Sequence, residues 1–213
     1  MQKNVRVEQV WFLSCETKTL TMAGGEFCAN AARAAIWQLL GGKLWTTILS
    51  VSWYDGSVYG SVLGDGKVRL ELKKDFCRSL CINDALLGIV HLQWISHLVV
   101  PMREGLTIET LKDAAKWYLK KFWLLSYDAA GVMFISVVNN IISLYPVVWV
   151  RDMQTFIFES ACGSGTIAYA LYTYQLTKST HVSVLQPSGS ILEVEISDDL
   201  IHLVGEVDFV QNI

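Results

Sequence analysis

Two cysteines stand in matching surroundings. Gly24-Gly25-Glu26-Phe27-Cys28-Ala29-Asn30-Ala31 and Glu159-Ser160-Ala161-Cys162-Gly163-Ser164-Gly165-Thr166 each put a thiol where an extended segment meets a small-residue helix start. A thiol is a useful base only once ionised, and the unpaired N–H groups and dipole of a helix N-terminus favour that ionisation. The same N–H groups hold a carboxylate. Gly163, Ser164 and Gly165 let the backbone come close to such a ligand, because nothing bulky intervenes. Two devices of this kind, facing one another, place a sulfur on each side of one carbon. One thiolate removes the α-proton, the opposite thiol delivers another, and configuration is inverted. Charge developing on the carboxylate is stabilised by the helix N–H groups, a preorganised electrostatic effect.

A single cysteine near a helix start is more often a small buried hydrophobe. The repetition argues otherwise here. Gly56-Ser57-Val58 follows Cys28 by the same interval, within one residue, as Gly189-Ser190-Ile191 follows Cys162, and Val68-Arg69-Leu70 then matches Ile201-His202-Leu203. Cys15, Cys77 and Cys81 lack this context and read as buried or incidental thiols. Cys77 and Cys81, four apart, would suit a metal on a helix. No His or second Cys pair accompanies them at ligand spacing, so no metal site is expected.

These cysteines must be positioned by the elements around them. Val5 to Leu13 and Thr17 to Met22 read as strands. Ala29 to Leu40 reads as a helix, with Ala32, Ala35, Ile36 and Leu39-Leu40 on one stripe and Gly41-Gly42 as its stop. Trp45 to Ser52, Ser57 to Leu63 and Lys67 to Lys74 follow as strands joined by Asp-Gly turns. Ile89 to Val100 contains one or two strands. Thr107 to Phe122 is an amphipathic helix, with Ile108, Leu111, Ala115, Tyr118 and Phe122 on its apolar face. Val147 to Phe158 reads as extended, and a second cysteine-led helix runs from Gly163 to about Gln175. Val182 to Leu185, Ile191 to Ile196 and Ile201 to Val210 close the chain as strands. An α+β fold of two similar lobes is expected, each a β-sheet or open barrel round a central helix, with the first lobe shortened. The N-terminal lobe would span 1–85 plus a last strand at about 203–213, and the C-terminal lobe 86–202.

The 213 residues are 52% hydrophobic and 17% charged, with net charge −3, so a substantial core is affordable and disorder is not expected. No basic stripe argues for a nucleic-acid partner. Ala129 to Val150 carries no charge over a length that could cross a bilayer, yet Asn139-Asn140 at its centre favours two buried strands joined by a tight turn. No membrane association is expected. Met1 to Val10 alternates charged and apolar residues and lacks the apolar run of a signal peptide. With an odd number of cysteines, five in all, a cytoplasmic protein without a disulfide framework is the expectation.

The two motifs resemble those of the diaminopimelate epimerase superfamily of cofactor-independent racemases and epimerases. Glu26-Phe27-Cys28-Ala29-Asn30-Ala31 is similar to the first motif, with Ala29 where glycine is usual. Ala161-Cys162-Gly163-Ser164-Gly165-Thr166 is similar to the second, and Gln186-Pro187-Ser188-Gly189-Ser190-Ile191 to a further segment. Within the superfamily the chain looks most like histidine racemases, including those serving metallophore synthesis, through Glu8-Gln9-Val10, the Gly-Glu-Phe-Cys run and Glu159 three residues before Cys162. Trp11 stands where related sequences prefer glycine, near an expected substrate wall. Val150-Arg151-Asp152-Met153 replaces the Glu-Arg-Gly run of diaminopimelate epimerases, and His97 falls in their Asn-Pro-His segment, equally readable as a structural or a site residue.

The resemblance implies an isomerase with its site in the cleft between the lobes and no cofactor. Cys28 and Cys162 would be the acid–base pair. Ala29, Asn30, Gly163 and Ser164 would hold the substrate carboxylate, and Glu8 and Glu159 the ammonium. The partner implied is a small amino acid, histidine foremost, and a homodimer is left open. Two alternatives stay open beside it: a diaminopimelate epimerase, and a weakened amino-acid-binding paralogue. A cysteine hydrolase would need a His/Asp partner set that the sequence does not offer.

Overall fold

The computed structural model describes residues 9–83, 86–102 and 105–208. The chain opens with β1 (Trp11–Ser14) and β2 (Thr19–Met22), followed by α1 (Ala29–Leu40), β3 (Thr46–Val51), β4 (Ser57–Val62) and β5 (Val68–Lys73). Next come β6 (Cys77–Ile82), β7 (Gly88–Leu92), β8 (Ser96–Pro101) and α2 (Ile108–Lys121). A hairpin, β9 (Ala129–Val138) and β10 (Ile141–Val150), leads through β11 (Thr155–Phe158) to α3 (Gly163–Thr177). β12 (His181–Leu185), β13 (Ile191–Ile196) and β14 (Leu200–Gly205) end the described chain.

The strands join into one sheet ordered β1-β2-β3-β4-β5-β14-β13-β12-β10-β9-β8-β7-β6, with β11 paired to β10. Its middle is a pseudo-dyad. β5 and β14 are antiparallel neighbours, and Leu70 pairs with Leu203, the two residues matched by the sequence repeat. Outward from this pair β4 mirrors β13 and β3 mirrors β12. The symmetry extends to strand sense, since β2 pairs parallel with β3 across α1 as β10 pairs parallel with β12 across α3. An α+β fold of two lobes results, each a curved sheet round an apolar helix. Two described strands precede α1, whereas β6 to β8 and α2 have no counterpart among the described residues on the other side of the dyad.

Both central helices are enclosed because they are small where the sheet crowds them. Ala32, Ala35 and Ile36 of α1 are wholly buried, as are Ile167 and Ala168 of α3. Gly60 on β4 leaves the space that the Ile36 side chain fills, and Gly88 on β7 does the same for Tyr172. α2 differs, lying outside the sheet with Leu111, Ala115 and Leu119 buried against Leu98, Val132 and Phe134. Its expected face is shifted slightly, since Leu119 is inside and Ile108 is 46% exposed.

That second core explains the charge-free stretch. β9 is buried on both faces for most of its length, Met133 and Ile135 facing the lobe core and Val132 and Phe134 facing α2. A strand covered twice needs no polar face. Asn139 and Asn140 form the turn with φ of 51° and 63°, the left-handed pair that a two-residue hairpin requires. No helix among the described residues is long and apolar enough to cross a membrane.

Three expectations need correction. Cys77 and Cys81 lie on strand β6, not on a helix, and β6 itself was not anticipated. The expected strand from Ile201 to Val210 ends at Gly205. Val147 to Phe158 is not one strand, because a turn over 151–154 lets β11 fold back antiparallel on β10.

Since Ile36 is fully buried where α1 meets β4, Ile36→Ala should destabilise the protein by about 2–5 kcal/mol. Leu44→Ala, at a 66% exposed site, should change stability by less than about 0.5 kcal/mol. Urea unfolding of the two variants makes the comparison, and equal effects would contradict the packing described.

Candidate active site

Cys28 and Cys162 are the N-caps of α1 and α3. Their backbones are nearly superimposable in conformation, φ −122° and ψ 111° for Cys28 and φ −131° and ψ 100° for Cys162. Each sulfur takes the place of a capping oxygen, accepting a backbone N–H three residues on: Ala31 to Cys28 Sγ at 3.4 Å and Gly165 to Cys162 Sγ at 3.3 Å. Capping by a side chain at this position satisfies one of the orphan donors of the first turn. The repeat in sequence is therefore a repeat in geometry.

The two helix starts meet. Asn30 Nδ2 donates to the Ala161 carbonyl at 2.9 Å, and Arg33 Nη2 donates to Asn30 Oδ1 at 2.9 Å. A Cβ on Gly163 would lie 2.9 Å from the Ala29 Cβ and 2.9 Å from Leu203 Cδ2. A Cβ on Gly165 would strike Met133 Sδ and come within 3.0 Å of Cys162 Sγ. These glycines make room for the protein itself as much as for a ligand. The Cys162 end is also held from the far side, where the Cys162 N–H donates to Gln186 Oε1 at 3.0 Å and Gln186 Nε2 to Thr166 Oγ1 at 3.2 Å.

Between the helix starts lies a cavity of about 350 Å³, lined by both cysteines together with Ala29, Asn30, Glu159, Gly163 and Ser164. The structure thus brings seven of the eight expected site residues to one wall. Glu8, the eighth, lies outside the described residues. The Asn30 side chain is committed to joining the helices, so only its backbone is free to meet a ligand. Trp11 does not line the cavity and instead packs against the core. The remaining wall is mostly apolar, with Phe27, Trp94, Ile95, Val148 and Ile157 among its residues.

A polar thread joins the thiols across this space. Cys28 Sγ donates to Gln9 Oε1 at 2.8 Å, and Gln9 Nε2 donates to Glu159 Oε1 at 3.4 Å. Glu159, only 8% exposed, is in turn hydrogen-bonded to Cys162. Burial is the main influence on both sulfurs, pushing Cys28 up to about 12 and Cys162 well above the ordinary thiol range. The negative charge of Glu159 pushes in the same direction at both. Backbone N–H groups of the helix starts pull the other way. Burial and the charge of Glu159 thus favour the protonated form of both cysteines.

His97 is placed behind the site. It is fully buried, its Nε2 lies 3.0 Å from Ser164 Oγ, and that hydroxyl is 3.6 Å from Cys162 Sγ. Nδ1 has no partner among the described residues. A proton on Nε2 therefore leaves only a lone pair unmatched, the cheaper tautomer.

Residues 71–210 match the family described as the histidine racemase CntK N-terminal domain, well over half of the chain. The chain belongs to the histidine racemase family. It is an isomerase by that membership. A histidine racemase of Fusobacterium nucleatum is 29% identical over 98% of this chain and 81% of its own length. Among solved structures, a predicted epimerase from Pseudomonas aeruginosa shares the fold with TM-score 0.61 at 15% identity, covering 94% of this chain and 80% of its own. A PhzF-family phenazine biosynthesis protein from Enterococcus faecalis follows with TM-score 0.53 at 14% identity, covering 93% and 78%.

Several residues at this site were given no role by sequence reasoning. Gln9, Glu26 and Trp94 line the cavity, and buried Arg33 steadies Asn30 from behind. The one signal in the sequence was polarity in an apolar context, as with Arg33 inside the Ala-rich helix.

His97 gives a pH test. Burial depresses it to about 3, whereas an unfolded histidine titrates near ~6.5. Below that value the unfolded chain binds a proton that the folded protein refuses, so stability present at neutral pH is lost as the pH falls. Urea titrations at pH 7 and pH 5 should differ by about 2 kcal/mol on account of this residue, and His97→Asn should abolish that part of the difference. An unchanged difference in the variant would locate the acid sensitivity elsewhere.

Proposed function

We propose that the protein is a cofactor-independent racemase that inverts the α-carbon of histidine by a two-cysteine acid–base mechanism. What supports this is one observation above all: two cysteines in the same capping geometry begin two touching helices and line one cavity. Histidine is taken from the related racemases, which share the chain nearly end to end at 29% identity.

In this reading the substrate carboxylate sits against the N–H groups around Ala29-Asn30 and Gly163-Ser164. Two helix starts then share one anion, each contributing partial positive charge. The ammonium goes to Glu159, the carboxylate in hydrogen-bonded contact with the cavity's polar thread. This placement has an electrostatic consequence. Glu159 is the charge that raises both thiols, and an ammonium beside it cancels that repulsion. The substrate brings the cation that eases ionisation of its own base.

The α-carbon then lies between the sulfurs. For one enantiomer Cys28 as thiolate takes the α-proton, and the C–H electron pair passes into the carboxylate, whose added charge the helix N–H groups stabilise. Cys162 as thiol gives its proton to the opposite face. The enzyme is left with the proton on Cys28 and the charge on Cys162, the form that processes the other enantiomer. Ser164, backed by His97, donates toward Cys162 and favours its thiolate.

The test is α-proton exchange of L- and D-histidine in deuterated water, with chiral analysis of the product. The parent should racemise both. Cys28→Ser and Cys162→Ser should each lose racemisation by roughly 10²–10⁴-fold, the usual worth of a positioned acid or base, while each exchanges the α-proton of one enantiomer only. A variant that racemises near the parental rate would rule out the cysteine pair. Exchange with diaminopimelate but not with histidine would move the substrate.

A further inference from the structure

One of the three stretches that marked the family in the sequence, Gln186-Pro187-Ser188-Gly189-Ser190, lines no part of the cavity. It is the turn between β12 and β13. The Gly189 N–H donates to the Gln186 carbonyl and the Gln186 N–H to the Ser190 carbonyl, both at 2.9 Å. Pro187 fits its first corner, and Gly189, with φ of 87°, its last.

What this turn touches is the run that leads into α3. Residues 159–162 belong to no helix or strand, so their backbone groups need partners from other elements. Three elements supply them. From β10, the Pro146 carbonyl accepts the Glu159 N–H at 3.1 Å. From α1, Asn30 donates to the Ala161 carbonyl at 2.9 Å. The turn makes two contacts, the Ser188 N–H donating to the Ser160 carbonyl at 2.8 Å and Gln186 Oε1 accepting the Cys162 N–H at 3.0 Å.

Gln186 holds Cys162 on both sides of its Cα. Beyond the bond to the N–H, Gln186 Nε2 donates to Thr166 Oγ1 at 3.2 Å, and that hydroxyl donates to the Cys162 carbonyl at 2.7 Å. The other Nε2 hydrogen goes to the Val184 carbonyl at 3.2 Å. Gln186 and Thr166 are both buried. The amide has one workable orientation: turned over, its NH2 would meet the Cys162 N–H and its oxygen the Val184 carbonyl. A buried network with every member satisfied makes the backbone it holds rigid. Cys28 lacks this support. Among the described residues no side chain holds its N–H or its carbonyl, although the two cysteines share one capping geometry.

We propose that Gln186 is a positioning residue for Cys162, which through its own amide and the Thr166 hydroxyl sets where that sulfur stands in the cavity. The pseudo-dyad by itself gives the two thiols equal support, and the second lobe adds this clamp to one of them. The difference has a physical reason. Cys162 lies against the buried Glu159 carboxylate three residues earlier, and at such range in an enclosed site a small displacement changes the repulsion steeply. The inference rests on the two-cysteine reading above and adds the residue that holds one member of the pair in place.

The experiment uses the full chain and follows each cysteine separately, by iodoacetamide alkylation quantified on its own peptide by mass spectrometry. Racemisation of L-histidine is measured beside it. Gln186→Met keeps the volume and removes the hydrogen bonds. It should speed alkylation of Cys162 about fivefold or more and leave Cys28 within about twofold, because the opening is local. kcat should fall roughly 10–100-fold, the effect of a small misplacement, with KM changed by less than about threefold. Thr166→Val should show the same pattern at smaller size, and Thr166→Ser, which keeps the hydroxyl, should recover most of the loss. Should Gln186→Met fail to fold, the Thr166 pair makes the comparison alone. Equal acceleration at both cysteines would mean general loosening and overturn the assignment, as would a kcat in Gln186→Met close to that of the parent. If the parent fails to racemise histidine, the function proposed above falls. Faster alkylation confined to Cys162 would then still uphold the role of Gln186, and its absence would end it.

Discussion

The contact between the two helix starts is the constraint on which the site depends. The cavity and its two thiols exist together only because α1 and α3 approach tip to tip. Side chains at that junction must be small: a Cβ on Gly163 would already sit 2.9 Å from Ala29. The approach is then locked by Asn30, which donates to the Ala161 carbonyl at 2.9 Å. Asn30 could rotate were it not for Arg33, which donates to its oxygen at 2.9 Å and to the Glu206 carbonyl at 3.2 Å. Burial lowers Arg33 to about 10, so at neutral pH it stays charged inside the protein. A buried cation held on carbonyl oxygens is costly on its own account. Its place one helical turn behind a cysteine is therefore better explained by the site than by stability.

The sheet makes that contact possible. Because Leu70 and Leu203 pair at the pseudo-dyad, whatever one lobe projects from its helix start the other projects back toward it. Two copies of a capping cysteine come to line one cavity without further design. The symmetry stops at the immediate supports. Cys28 faces the amide of Gln9, whereas Cys162 contacts a hydroxyl backed by a neutral histidine and lies beside Glu159. Around the helix starts the backbone is two-fold and the electrostatics are not.

What could be read from the sequence was local. α1 begins at Ala29 and ends at Leu40 as expected, because small residues, a capping position and two glycines all act within the helix. The Asn139-Asn140 turn was legible because few residues besides asparagine and glycine accept two successive positive φ values. β6 was missed because its half-exposed mixture of Cys, Arg and Ser has no clean alternation, and it is a strand only through its pairing with β7. The fold class followed from the repeat, but the mirrored strand order did not, since the parallel pairing across each helix is a tertiary fact. The same holds for the site. Motifs marked the thiols and the helix starts, while Gln9, Glu26 and Trp94 come from three separate loops and Arg33 from α1, and only folding shows that they converge.

Burial and ionisation stand in opposition here, and the geometry shows how the opposition can be resolved. An enclosed, mostly apolar cavity strengthens every charge interaction inside it, which is what a carbon acid needs from its surroundings. The same enclosure keeps both thiols protonated and chemically quiet. Two helix starts lower the cost of a thiolate through their N–H groups, but they do not offset desolvation and Glu159. On the proposed reading the missing contribution arrives with the ligand, whose ammonium neutralises Glu159. A thiol of ordinary acidity in an open cleft would be ionised more of the time and exposed to oxidants throughout. On the proposed reading, enclosure with a buried carboxylate instead ties the reactive form of each cysteine to occupancy of the cavity by a zwitterion.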